Sequence, residues 1–568
     1  DAHNQTSHDN LKSSPPKVLA VIQARLNQLS PPARSLAGLA AAIGRAFTFD
    51  VLQQAARDDE DTLVVALDEL WRRRIVREQG SAGYDFSHDR IRDAAYAQLS
   101  TARRRTLHRR IAVALERVHA ADLGLVSGQL AAHYEQAGLA EQAIHFYEQA
   151  ADHAQQRFAR RDAVTFLRRG LALLATLPET VQRQTQQLSL ALALGIGLAS
   201  LYGAIGDEVQ QIFIQAELLS QQLGQKLLQY VAQRGLWSNY LSRTSLFEAR
   251  AQAARNVLLA EELQDPFFLR DAYTNVGLAA FEMGEFTRAV ESFEQAIAHP
   301  VPPGSTPPTG FVVFEPGIET PFLCATSLAL LGYLDRARQR CDEALRLVRT
   351  VHDPFTRAAA HYFAIQFYQV IRDIPTVQAL ATDIEELAIK YEFTAFMFDG
   401  PVFHDWATAV QTRSNASIAR LRQQILAYQE TDNYQLTHYY ALLAEACSAS
   451  GQVVEGLAAA SVGLDLAERT HERFWSAELY RLQGDLLMAQ GEEGAERCYT
   501  AALEVARQQN AKTLELRAAV SLARLWQTQN RYAEARRQLA EIYDWFAEGF
   551  DTVDLLEAEA LLIGLNRL

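Results

Sequence analysis

Beyond about residue 125, apolar residues recur at spacings of three and four, and short glycine-marked breaks interrupt them. The clearest stretch is NVGLAAFEMGEFTRAVESFEQA, Asn275 to Ala296, with Gly277, Gly284, Ala289, Phe293 and Ala296 in order. A helix, a glycine turn and a second helix fit that spacing, with small residues where the two helices approach closely. The pattern returns with Gly138, Ala143, Tyr147 and Ala150, with Gly332, Ala337, Cys341 and Ala344, and with Gly484, Gly491, Ala495, Tyr499 and Ala502. Units near 358–390 and 403–428 are degenerate. The reading predicts roughly ten to eleven helical hairpins over 125–546, at the period of about 34–42 residues expected of such repeats, and a capping helix over 547–568.

The first 120 residues are patterned differently. A polar tail, 1–17, precedes VLAVIQARLNQL; Ser30-Pro31-Pro32 then leads into ARSLAGLAAAI, and Phe49-Asp50 into VLQQAA. Asp61 is placed to cap TLVVALDELWRRR. IVREQ and YDFSH alternate as two strands about a Gly80–Gly83 turn, and two further helices follow, DRIRDAAYAQL and TARRRTLHRRIAVALERV. Helices with a small β-hairpin predict a winged-helix domain over 18–120. The fold class expected is mostly all-α: a right-handed helical solenoid preceded by this small domain.

Composition sharpens this picture in three ways. Ala, Leu, Gln, Glu and Arg dominate while Pro is only 16 and Gly 29, which is helix-former usage. The net charge of −14 is uneven: residues 1–125 hold 18 Lys and Arg against 15 Asp and Glu, a net of +3, and the remainder carries −17. An acidic array disfavours phosphate-backbone binding along its length. Cys324, Cys341, Cys447 and Cys498 are widely separated, with no CxxC, which predicts thiols in packed positions and a cytoplasmic setting. No apolar run is long enough to cross a bilayer. The opening DAHNQTSHDN, without initiator Met or signal-peptide core, reads as an internal starting point of a longer chain.

Against this frame, the N-terminal order ARL…LSPPAR…AL.EL…IV…YDFSHDRIRDAAYAQL…LHR.IA..LE resembles the winged-helix segment that follows the ATPase core in STAND-type signalling ATPases. Relatives of that type are bacterial AAA-type regulators linked to class III cyclase, kinase or transcription-factor domains. In that family an MHD-like motif sits where the second wing strand meets a helix. The resemblance places Phe86-Ser87-His88-Asp89 there and implies that His88, with Asp89, senses the β-phosphate of ADP on the ATPase core. The repeats resemble the tetratricopeptide family, and WFAEGFDTVDLLEAEALLIGL resembles the terminal cap of arrays of this kind.

Motifs that carry chemistry are mostly absent from the sequence. GxxxxGK[ST], HExxH and GxSxG are absent, so no hydrolysis of ATP and no enzyme activity is expected of this chain. No cofactor or metal is expected in it; ADP or ATP belongs to the intact parent. His88-Asp89, His352-Asp353 and His404-Asp405 are isolated dipeptides in dissimilar contexts. The alternative to a sensor is a transcription regulator whose winged helix binds DNA, with Arg72–Arg74, Arg103–Arg105, Arg109 and Arg110 on the backbone. Asp58, Asp59, Glu60 and Asp61 at the start of the recognition helix oppose it. Within the array, 300–321 carries seven prolines and predicts a non-helical insertion. The segment 391–406 is dense in aromatics. His361, Tyr362, Phe367, Tyr368, Phe396, Phe398, Phe403, Trp406, Tyr439 and Tyr440 are the expected lining of a concave groove for a protein, a peptide or a small molecule. No nucleic acid and no membrane is expected as partner.

Overall fold

The computed structural model describes residues 16–80, 83–157, 159–301, 318–391, 396–429, 434–491 and 493–567. The chain divides into two compact units, residues 1–197 and 198–568.

The first unit begins with helices Pro16–Asn27 and Pro31–Ile43. Ser30 caps the second of these, accepting from Ala33 N, and prolines occupy its first turn, where no amide partner is needed. Strand β1, Ala46–Thr48, leads into helix Phe49–Ala55, and helix Glu60–Arg72 follows. Asp59, not Asp61, caps the latter through a 2.9 Å bond from Thr62 N. Strands β2, Val76–Gln79, and β3, Gly83–Phe86, form the expected hairpin, and β1 joins β3 on its other side, so the antiparallel order is β1-β3-β2. Three residues are too few for alternation to reveal β1. It is held by Phe47, buried, whose ring stacks on Tyr84 at 5.9 Å and meets Phe86 at 6.2 Å.

Helices Asp89–Ala97 and Thr101–Val118 complete this part. Helices Ser127–Ala137 and Ala140–Gln156 make the first repeat hairpin. The core runs from Ile22 through Leu115 to Leu130 and Tyr147, with no break at 120–125.

In the second unit, paired helices repeat with short turns: Lys226–Ser242 with Leu246–Leu263, Pro266–Glu282 with Phe286–Ile297, Glu319–Leu330 with Leu334–Val348, and Pro354–Val370 with Ile374–Tyr391. Phe396–Thr412 with Asn415–Gln429, Leu436–Ala449 with Val453–Thr470, Ser476–Gln490 with Ala495–Gln508 and Lys512–Thr528 with Tyr532–Tyr543 continue the series. Helix Val553–Leu565 closes it. The Asn275–Ala296 signature has the expected cause. A Cβ on Gly277 would lie 2.5 Å from the Phe293 ring, so glycine lets the second helix seat that ring, and Ala289, Phe293 and Ala296 are fully buried. Gly284 makes the turn at φ +76°. Of the expected insertion 300–321, residues 302–317 lie outside the described residues; Pro321 stands in the first turn of Glu319–Leu330, where helix tolerates it.

Hairpins of this unit also meet others far along the chain. Arg473 N and Phe474 N donate to Glu282 O at 2.7 and 3.2 Å, and the Phe281 and Phe474 rings approach to 5.0 Å. Thr513 Oγ1 donates to Ala329 O at 2.5 Å, Arg338 pairs with Asp551 at 2.6 Å, and Arg372 with Asp554 at 3.1 Å. Helix 266–282 therefore rests against the 470s, and helices 319–348 and 354–370 against 512–565. A smaller core cluster gathers Tyr230, Leu259, Phe267 and Phe268, and the main one runs from Trp237 to Leu565. Cys324, Cys341 and Cys447 are buried in it, and burial pushes the Cys324 and Cys341 thiols up to about 12. No helix of the described residues is long and apolar enough to cross a membrane.

Candidate functional site

The aromatic groove does not form as expected. Phe367, Phe403, Trp406 and Tyr439 are fully buried, and Tyr362 and Tyr440 nearly so. Their polar tips are spent inside the protein: Tyr362 OH donates to Gln435 at 2.7 Å, Trp406 Nε1 to Glu445 at 3.1 Å, and Tyr439 OH to Asp399 at 2.8 Å. Phe398 stacks on Tyr428 at 4.1 Å. His361 and Tyr368 keep partial exposure, and the Phe396 side chain lies outside the described residues. The physical reason is the packing of each hairpin on its neighbours, which puts Tyr362 on Phe403 and Phe403 on Tyr439 and turns these helix faces into shared core.

His88 caps helix Asp89–Ala97 from an extended backbone but makes no side-chain capping bond, and it is exposed. Beside it, Arg45 reaches Asp89 at 3.7 Å, and the buried Asp85 is held by Arg77 at 3.0 Å. His88 and the helix-terminal amides stand at this corner beside an Arg45 already shared between Asp85 and Asp89. The same helix is tied to the first repeat hairpin by a file of rings. Tyr96 OH meets His108 Nε2 at 2.8 Å, and His108 Nδ1 meets His133 Nδ1 at 2.8 Å. Burial, with Arg104 nearby, holds His108 down at about 4; burial, with His108 nearby, holds His133 at about 3.

Several arginines of the expected DNA-facing set are engaged within this unit. Arg103 donates to Ser35 at 3.0 Å, Arg104 to Tyr96 O at 3.1 Å while lying over the Tyr96 ring, and Arg110 to Ala55 O. The His-Asp pairs are separate structural features. Asp353 caps its helix through Thr356 N, Asp405 is buried against Arg420, and His404 pairs with Glu385 at 2.9 Å. Among the described residues, no group of His, Cys, Asp and Glu is arranged to hold a metal ion.

The second unit instead holds a cleft of about 560 Å³, which no sequence motif marked. The turn Met283–Arg288 forms one wall. The others come from helix Val453–Thr470, the start of Ser476–Gln490 and the chain from Val505 to Asn510. Its volume falls within the roughly 300–1,000 Å³ of small-ligand sites. Gly284 turns here at φ +76°, and a Cβ on it would push aside the end of the Gln509 side chain. That amide donates to Arg473 O at 2.7 Å, which leaves Oε1 without a partner; Ser476 Oγ also has none. Both residues line the cleft, at 8% and 7% exposure. On one wall Glu285 is neutralised by Arg250 at 2.8 Å and Arg288 at 3.4 Å. Arg473 and Glu468 are exposed, and neither has an ion pair among the described residues; the Arg473 side chain reaches only His471 Nδ1, at 3.4 Å.

Just behind this wall lies a buried polar cluster. Glu282, with no exposed surface, accepts from Gln435 Nε2 at 3.1 Å, while Glu472 accepts from Thr437 N at 3.1 Å and Thr437 Oγ1 at 2.7 Å. Burial, and then the Glu472 carboxylate, push the Glu282 carboxyl well above its ordinary range. The cleft and the cluster share the contact between residues 282–288 and the 470s, so an occupant of the cleft would bear directly on how tightly these hairpins close. The only sequence signal for any of this was Gly284, since Arg473, Ser476 and Gln509 follow no periodic pattern.

No family model matches the chain. It is 22% identical over 523 residues to an uncharacterized protein of Rhizobium meliloti (strain 1021), covering 89% of this chain and 50% of that protein, so the chain spans half the length of the curated relative it matches. Among solved structures, it is similar to a STAND protein with a tetratricopeptide repeat sensor from Pyrococcus horikoshii, at TM-score 0.35 and 9% identity, covering 95% of this chain and 66% of that one. It is also similar to a Rap protein complexed with competence and sporulation factor, at TM-score 0.39 and 12% identity, covering 74% and 99%. Yeast Tom70 matches at TM-score 0.31 and 13% identity, covering 80% and 96%.

Proposed function

We propose that this chain is the non-catalytic sensor region of a STAND-type signalling ATPase of the bacterial cytoplasm. The helical array binds a protein, peptide or small-molecule partner. The N-terminal part, with its three-stranded sheet, acts as a winged helix that relays this binding to a nucleotide-binding core on the same polypeptide. The nucleotide is held by that core, and His88 with Asp89 reports its β-phosphate.

The observation that carries the reading is the continuity within residues 1–197. The helix that starts at His88 is joined through Tyr96, His108 and His133 to the first repeat hairpin, and one core spans both. A shift of that hairpin has a packed route to the His88 corner. Binding biases the nucleotide state only through different affinity for two arrangements.

The test is nucleotide exchange in a protein carrying the ATPase core ahead of this chain. Loss of one charge-assisted bond to phosphate is worth about 1.5–3 kcal/mol, so His88→Ala is expected to speed ADP release about ten- to a hundredfold. An unchanged release rate, with unchanged melting, would sink the clamp.

A further inference from the structure

We infer that helix Val553–Leu565, the last of the array, pairs with the same helix of a second copy of this chain, antiparallel about a two-fold axis.

A helix that closes a stack of hairpins needs one apolar face toward its neighbour and a polar face toward water. This one is apolar all round. Leu555, Ala558 and Leu565 are buried against the array. On the opposite side Val553, Leu556 and Ile563 stand 39%, 49% and 48% exposed, with Ala560 exposed between them. Spacings of three, four and three residues put these four on one narrow stripe, the seam of a coiled coil. The acids of the helix do little to cover it. Asp554 is held by Arg517 at 2.8 Å and Glu557 by Arg372 at 3.2 Å, which leaves Glu559 as the one exposed acid of the helix. Beside the stripe, a Cβ on Gly564 would meet nothing within 4 Å, so a second backbone has room to approach.

The shape of the seam selects its occupant. A stripe this narrow takes a helix. Laid antiparallel on itself, with Leu556 of one copy opposite Ala560 of the other, it seats a large side chain on a small one twice over, and each Val553 meets an Ile563. A parallel pair would set Leu556 on Leu556 and Ala560 on Ala560, crowding one layer and leaving a gap in the next. The antiparallel register brings Glu559 opposite Glu557 of the other copy, whose charge is already matched by Arg372 and Arg524 at 3.2 and 3.5 Å. Four such side chains remove roughly 300 Å² per copy from water, against about 800 Å² per partner in a standard interface, so the pair is a reversible one.

Sedimentation equilibrium of the full chain, from about 5 to about 500 μM, tests the pairing in the range of a small interface. The mass is expected to rise from one chain toward two. Leu556→Glu and, separately, Ile563→Lys should each raise the dissociation constant about tenfold or more. Both positions are half-exposed, and far-UV circular dichroism with thermal melting checks that each variant folds. Leu556→Cys and Ala560→Cys, made as separate chains and mixed under oxidation, should cross-link to each other several-fold faster than either does alone. The parent chain, whose Cys498 is partly exposed, gives the background.

A chain that stays monomeric up to the highest concentration would overturn the proposal, as would a dimer that neither substitution weakens. Preferential cross-linking of Leu556→Cys with itself would equally refute the antiparallel seam.

Discussion

Glu282 shows what a single side chain does in this interior. It is fully buried, it accepts from Gln435, and Tyr434 and the Glu472 carboxylate lie beside it. A buried carboxyl near another carboxylate holds its proton well above the ordinary glutamate range. With the folded-state value raised, the folded protein binds more protons than the unfolded one over that window. Stability is therefore greatest near the ordinary pKa and falls as pH rises, by about 1.4 kcal/mol per pH unit, until the folded-state value is passed. Glu282→Gln keeps the shape and removes the titration. Thermal melts should show it gaining on the parent protein from pH 5 to pH 8; a constant difference across that range would contradict the assignment. Glycine 277 is legible at this scale from sequence alone, because its role is a local approach to Phe293. Glu282 is not, since the residues that trap it lie about 150 and 190 positions away.

At the scale of elements, the informative join is between helices Asp89–Ala97, Thr101–Val118 and Ser127–Ala137. The Tyr96–His108–His133 file needs neutral rings, each with one N–H, whichever way the protons run. Burial opposes the charge on either ring, and protonating both sets the two Nδ1 donors against each other. Both folded-state values are depressed, to about 4 and about 3, so this contribution is complete above about 6.5 and is lost as pH falls toward them. Residues 1–197 are expected to lose about 1.4 kcal/mol per pH unit per histidine below that point. Hydrogen exchange at pH 7 and pH 5 should show helix 127–137 opening on acidification. In His133→Leu this pH dependence should fall by about half. Equal protection at both pH values would exclude the neutral pair. The helices themselves were readable from capping residues and periodicity. Their joining was not, because one histidine on each of two helices is unremarkable until packing brings the rings together.

For the larger unit, 198–568, the decisive contacts connect early hairpins to late ones. Asp554, buried, receives Arg517 at 2.8 Å and Arg372 at 3.1 Å, and Arg517 also donates to Val370 O. Removing one partner of a buried ion pair costs about 3–5 kcal/mol, because the remaining charges stay desolvated. Asp554→Ala should lower the stability of this unit by that amount in urea unfolding. Tryptophan fluorescence suits the measurement, since five of the six tryptophans lie beyond residue 198. Asp465→Ala, on an exposed pair with Arg469, should change it by less than about 1 kcal/mol. Similar small effects for both would mean that the distant hairpins do not hold one another.

By itself the sequence determined the helices, the hairpin repeat, the small-against-large pairs within hairpins and the β2–β3 hairpin, because each depends on residues a few positions apart. Tertiary structure decided which faces are inside. The aromatics of 362–440 look like a groove lining when each hairpin is read alone, and they are core once neighbouring hairpins pack on one another. Contact between distant hairpins leaves Ser476 and Gln509 unpartnered around a cleft beside Arg473. Burial and pairing over more than a hundred residues are sums over the whole fold, and no local pattern encodes them.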